Sequence, residues 1–99
     1  MAIDAILLKA ADNVATAVQD LQAGQTAAIR LDRDISTVVI QESIPYGHKF
    51  ACRSIKLGDN IIKYGEVIGR ATIAIPTGCH AHVQNIESLR GRGDLRKED

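Results

Sequence analysis

Ile61-Ile62-Lys63-Tyr64-Gly65-Glu66-Val67-Ile68-Gly69-Arg70-Ala71 places two short β-forming runs, Ile61 to Tyr64 and Glu66 to Ala71, on either side of a glycine that lets the chain turn. Runs of the same kind recur at Thr26 to Leu31, Ser36 to Ile40 and Cys79 to Val83, bounded by glycine, proline or aspartate. A turn signal repeats between them. Leu21-Gln22-Ala23-Gly24, Ile55-Lys56-Leu57-Gly58 and Ile75-Pro76-Thr77-Gly78 each put a glycine three residues after an aliphatic. The aliphatic anchors the turn in a core, and the glycine supplies the positive φ needed before the chain re-enters a strand. One stretch reads differently. Asp12 can cap a helix whose apolar positions Val14, Ala17, Val18 and Leu21 recur at helical spacing before Gly24 stops it. The expectation is a mostly β domain with one short α-helix near residues 12–23.

Composition narrows the function. With 99 residues the chain makes one domain, large enough to fold alone but too small to enclose a deep catalytic cleft. Twelve basic and 12 acidic residues cancel, which argues against nucleic acid or an anionic membrane as partner. The three aromatic residues are too few to make a base-stacking platform. The longest apolar run, Ala5 to Leu8, is far short of a bilayer span, and no basic segment precedes it as in a signal peptide. A soluble, cytoplasmic protein is expected, with Cys52 and Cys79 as reduced thiols.

All three histidines lie in glycine-punctuated blocks, His48 in Tyr46-Gly47-His48-Lys49-Phe50-Ala51 and the others in Gly78-Cys79-His80-Ala81-His82-Val83-Gln84-Asn85. Residues two apart on a strand share a face, so His80 and His82 can present two imidazoles side by side, with Gln84 extending the row. Lys49 can pair with a substrate carboxylate. Cys79 beside His80 does not make a nucleophile pair, because adjacent strand residues point to opposite faces.

From Asp12-Asn13-Val14-Ala15 to Asn85, and most specifically in Gly47-His48-Lys49-Phe50-Ala51 and Ile62-Lys63-Tyr64-Gly65 with Ile68-Gly69, the chain resembles the SAF-type small domain of the altronate and galactarate dehydratase family. The resemblance implies a β-clip fold over residues 1–88, with residues 89–99 as a charged tail or docking arm. It implies the small, accessory subunit of a hydro-lyase that removes water from a sugar acid and helps complete the active site of a separate large subunit. Ferrous iron is the implied cofactor, bound mainly by or with that large subunit. Under this reading His48 and His82 are catalytic, Lys49 and Asn85 bind substrate, and His80 and His82 are the metal-ligand candidates. The family row commonly reads as alternating histidines ending in asparagine, so Gln84 stands where a third histidine is usual. Small subunits of sulfolactate sulfo-lyases resemble the same domain, which keeps sulfite elimination as an alternative, beside a noncatalytic sugar-acid-binding or assembly module. Exposed sheet edges and few aromatics imply a homo-oligomer when the chain is isolated and a mixed complex in the cell.

Overall fold

The computed structural model describes residues 2–88, so the tail expected at 89–99 lies outside the described residues. The order of elements is β1 (Ala5–Ile6), β2 (Val14–Ala17), β3 (Thr26–Leu31), β4 (Asp34–Val39), β5 (Lys49–Ala51), β6 (Asn60–Lys63), β7 (Glu66–Ala71), β8 (His80–Ala81) and β9 (Ile86–Ser88). They form a six-stranded sheet ordered β4-β3-β1-β2-β5-β8 and a three-stranded sheet ordered β6-β7-β9. The β1–β3 pairing is parallel and the others are antiparallel. Among the described residues there is no helix, and so none long and apolar enough to cross a membrane.

The mostly β expectation holds, but the helix near residues 12–23 does not form. Val14–Ala17 is strand β2, paired to β1 and β5. Its helix-like spacing arises because both faces are buried. Val14 packs in one core with Ile55, Ile61 and Ile75, while Ala15 and Ala17 face the other core around Phe50, Leu21 and Ile29. A strand covered on both sides loses the apolar–polar alternation that marks a half-exposed one. β5 is shared in the same way, Phe50 with one core and Ala51 with the other.

Asp12 is not a helix cap. Its buried carboxylate, 1% exposed, accepts backbone N–H bonds from Lys9 and Tyr64 at 3.1 Å and from Gly65 at 2.8 Å. It thereby holds the β6–β7 turn, in which Tyr64 (φ 60°) and Gly65 (φ 74°) both adopt the left-handed conformation of a tight hairpin turn. Asn13 continues the clamp, donating from Nδ2 to Asn60 O and accepting from Ile62 N–H, both at 2.8 Å. Together these two residues tie the larger sheet to the smaller one.

The glycine turn is used four times, the fourth being Ile44-Pro45-Tyr46-Gly47. Each turn's glycine N–H donates to the residue that begins its partner turn: Gly24 to Ile40, Gly47 to Ala17, Gly58 to Ala71 and Gly78 to Ala51. The aliphatic anchors pair as well, Leu21 with Ile44 and Ile55 with Ile75. Two reciprocal pairs of turns result, and Gln41 N–H donating to Gly78 O at 2.9 Å joins one pair to the other.

Gly58 and Gly78 have nearly equal φ, +87° and +88°, but different surroundings. A Cβ at Gly58 meets nothing within 4 Å, whereas one at Gly78 falls 2.2 Å from Val39 O. Gly58→Ala is therefore expected to cost about 1–2 kcal/mol of left-handed strain, and Gly78→Ala about 1–3 kcal/mol more from the forced backbone shift. Equal midpoints in urea unfolding would contradict this packing. Asp12→Asn turns an amide N–H₂ toward backbone donors and is expected to cost about 2 kcal/mol, read as a lower urea midpoint at unchanged slope.

Candidate functional site

His48 follows the Gly47 turn and leads into β5, while His80 opens β8 just after the Gly78 turn. β5 and β8 pair with Lys49 opposite Ala81 and Phe50 opposite His80. Continued by one residue, that register sets His48 across from His82. The rings of His48 and His82 accordingly stack at 4.3 Å between centroids, with His80 at 5.1 Å from His48 and 5.5 Å from His82. The fold thus brings all three histidines into one half-buried cluster, in which one ring nitrogen from each lies within 4.8 Å of the others.

The hydrogen bonds of the cluster are uneven. His48 Nδ1 lies 2.9 Å from His80 Nε2, and His80 Nδ1 lies 3.0 Å from Gln84 Nε2. With the Gln84 amide nitrogen as donor, His80 carries its proton on Nε2 and shares it with His48. His82 Nδ1 is buried and has no partner among the described residues. Such an orphaned ring nitrogen is costly in a folded protein and points to a group that the site is built to hold.

The strand expected over Cys79 to Val83 is shorter, because after Ala81 the chain turns, with Asn85 N–H donating to His82 O at 3.0 Å. Asn85 is buried and its side chain serves this turn: Oδ1 accepts from His82 N–H at 2.9 Å and Nδ2 donates to His80 O at 2.8 Å. Its amide is committed to positioning the two imidazoles rather than aimed at solvent. Glu42, not singled out in the sequence, accepts from His80 N–H at 2.9 Å. Burial, and then Glu42, push the Cys79 thiol above its usual range, and Cys79 and Cys52 are both free.

Lys49 and His82 stand at one end of an open groove of about 600 Å³ whose other walls are Val67, Ile68, Val83, Ile86 and Ser88. The Lys49 ammonium has no hydrogen-bond or ion-pair partner among the described residues. Burial, helped by the nearby Lys63 charge, lowers its ammonium below the usual lysine value. An unpaired, half-buried cation beside three imidazoles gives the mouth of the groove an affinity for anions.

His80 and His82 both titrate below the ordinary 6.5, chiefly through burial, with the charge of His48 next in each case. Unfolded imidazoles take up protons near 6.5 while these resist until lower pH, so the unfolded chain binds more protons in that window. Stability from this source is complete above pH 6.5 and is lost as pH falls through the lowered values. In chelator-treated protein, Tm is expected to drop on acidification from about pH 7 to about pH 5, less steeply in His82→Gln. A wild-type Tm that stays flat would remove the burial argument.

A family model described as the altronate/galactarate dehydratase SAF domain matches residues 3–89. The chain is 41% identical over 80 residues to altronate dehydratase of Escherichia coli, which covers 81% of this chain but 15% of that protein. It is 35% identical over 94 residues to (2R)-sulfolactate sulfo-lyase subunit alpha of Chromohalobacter salexigens, covering 91% of this chain and 99% of that one. To galactarate dehydratase (L-threo-forming) of Escherichia coli it is 45% identical over 67 residues, 12% of that protein's length. The chain therefore spans only a small part of the dehydratases it matches and nearly the whole of the sulfo-lyase subunit. By the extent of the family match and these identities, the chain belongs to the SAF-domain family of the altronate/galactarate dehydratases.

Proposed function

We propose that this chain is the small, accessory subunit of a lyase of the altronate/galactarate dehydratase type, and that it contributes part of the active site to a larger chain. The observation that carries the proposal is the convergence of His48, His80 and His82 beside the unpaired Lys49 at the groove mouth. Elimination from a hydroxy acid requires a base for the proton next to the carboxylate, recognition of that carboxylate, and assistance to the departing group. Lys49 pairs with the carboxylate. His48 and His82 hold and move the proton. Asn85 keeps His80 and His82 in place through the turn.

The family's cofactor, Fe²⁺, fits this donor set, since imidazoles suit ferrous iron and His82 Nδ1 lacks any other partner among the described residues. When bound by His48, His80 and His82, with or without groups of the large subunit, it supplies Lewis-acid stabilisation of the substrate's oxygens. Two half-buried free thiols are in keeping with work in the reducing cytoplasm.

A second reading has its own support. The end-to-end match to a sulfo-lyase subunit alpha favours a chain that eliminates sulfite from a sulfonated hydroxy acid. Carboxylate and sulfonate are both anions suited to Lys49, so the leaving group is selected by contacts outside this domain.

The test is anaerobic capture of the tagged chain from its native cells with Fe²⁺, followed by assays on altronate, galactarate and sulfolactate. A large partner and turnover of one of these acids are expected. His48→Ala and His82→Ala in the assembled complex are each expected to lower kcat by about 10²-fold or more. Undiminished turnover in an intact complex of either variant would remove that residue from the chemistry.

A further inference from the structure

Three features of the histidine cluster remain unexplained by proton handling alone. His48 Nδ1 and His80 Nε2 face each other at 2.9 Å, a contact that one shared proton satisfies but that leaves nothing for the third ring. His82 Nδ1 is buried and orphaned. Gln84 reaches the far nitrogen of His80 from outside the cluster. We infer that the small chain by itself holds one divalent first-row transition ion through His48 Nδ1, His80 Nε2 and a ring nitrogen of His82, with Gln84 as the positioning residue for His80. This deepens the lyase reading and rests on it only for the ion's use in catalysis.

The geometry supports the assignment. Two imidazole nitrogens on one such ion, each about 2.1 Å from it, stand about 3.0–3.4 Å apart. The His48–His80 pair is already at that separation, and the third nitrogen closes the set within 4.8 Å. Each ligand is held by backbone that the fold over-determines: His48 by the Gly47 turn, His80 by Glu42 and Asn85, and His82 by Asn85. Such pre-organisation reduces the entropy lost on binding. The donors are all nitrogen, which selects Fe²⁺, Co²⁺, Ni²⁺ or Zn²⁺ over Mg²⁺ or Ca²⁺.

Gln84 takes a distinct part. A metal-bound histidine donates its other ring N–H to a nearby acceptor, which fixes the tautomer and the ring plane. With Nε2 of His80 on the ion, Nδ1 carries the proton, and a turned Gln84 amide offers its oxygen to it. The position occupied by a third histidine in the family row is thus an outer partner here, while His48, just before β5, completes the three-nitrogen set.

Titration of the full-length chain without a histidine tag tests this, using Co²⁺ absorption and, separately, Zn²⁺ calorimetry. One ion per chain is expected, with affinity reduced at least tenfold in each of His48→Gln, His80→Gln and His82→Gln, and no competition from Mg²⁺. Gln84→Leu is expected to weaken binding about 10- to 100-fold while leaving the Co²⁺ band positions unchanged. Far-ultraviolet circular dichroism of each variant establishes that it is folded. No saturable binding by the folded wild type overturns the site, as does binding that His48→Gln leaves intact. A Co²⁺ spectrum altered by Gln84→Leu overturns its outer role. Ion uptake without turnover in the assembled complex keeps this site and removes the lyase reading. Turnover with an ion-free small chain removes the ion's use in catalysis alone.

Discussion

The amide hydrogens of Gly24, Gly47, Gly58 and Gly78 all donate into the opposing turn, at 2.7, 2.9, 2.9 and 2.8 Å, and on these four bonds the architecture depends. A small domain without helices has to satisfy its buried backbone through non-local partners. Short strands cannot do this alone, since β1 and β8 are two residues long and β5 and β9 are three. Reciprocal turns supply the missing bonds and carry an aliphatic anchor into the core with each one. Because each turn is completed by another, removing one exposes donors and acceptors in its partner as well.

The site is a consequence of that interlock. Gly78 sits against the Val39 carbonyl so closely that no side chain fits, and this contact presses the turn ending at Gly78 onto the end of β4. From there the chain has two residues in which to reach β5, and it arrives with His80 opposite Phe50. Phe50 is fully buried among alanines and the larger Leu21, Ile29, Ile40 and Ile44, which fixes β5, the strand that His48 leads into. Precision at the imidazoles therefore comes from core packing and turn geometry, not from interactions among the imidazoles themselves.

What could be read from the sequence follows the same division between local and non-local order. Glu66–Ala71 and Thr26–Leu31 form strands with the bounds their residues suggest, since both are long enough to show β-type composition between turn residues. Val14-Ala15-Thr16-Ala17 was misleading because alanine suits a helix locally, while burial on two faces erased the period-2 signal. The repeat was legible in three copies. Its fourth, ending at Gly47, is the same pattern once the residue four places before each anchor is included: Ala17, Ile40, Ala51 and Ala71. His80 and His82 could be paired from their spacing, but His48 joins them only through the β5–β8 register, which no local pattern encodes. The part played by Asn85 was hidden for a related reason, since a residue that shapes a turn looks in sequence like one that faces a ligand.

The chemistry available to this domain is limited by its size in a way that its residues make specific. The groove beside Lys49 and His82 is open, and Val83 on its wall is 81% exposed. In water-filled surroundings the attraction between Lys49 and a bound carboxylate is weak, and the same contact gains strength only as water is excluded. On the lyase reading proposed above, a partner surface that removes water from Val67, Ile68, Val83 and Ile86 would also convert Lys49 from a solvated charge into an effective anion anchor. Under that proposal, assembly and catalytic competence would be coupled through solvent, without any need for the histidines to move.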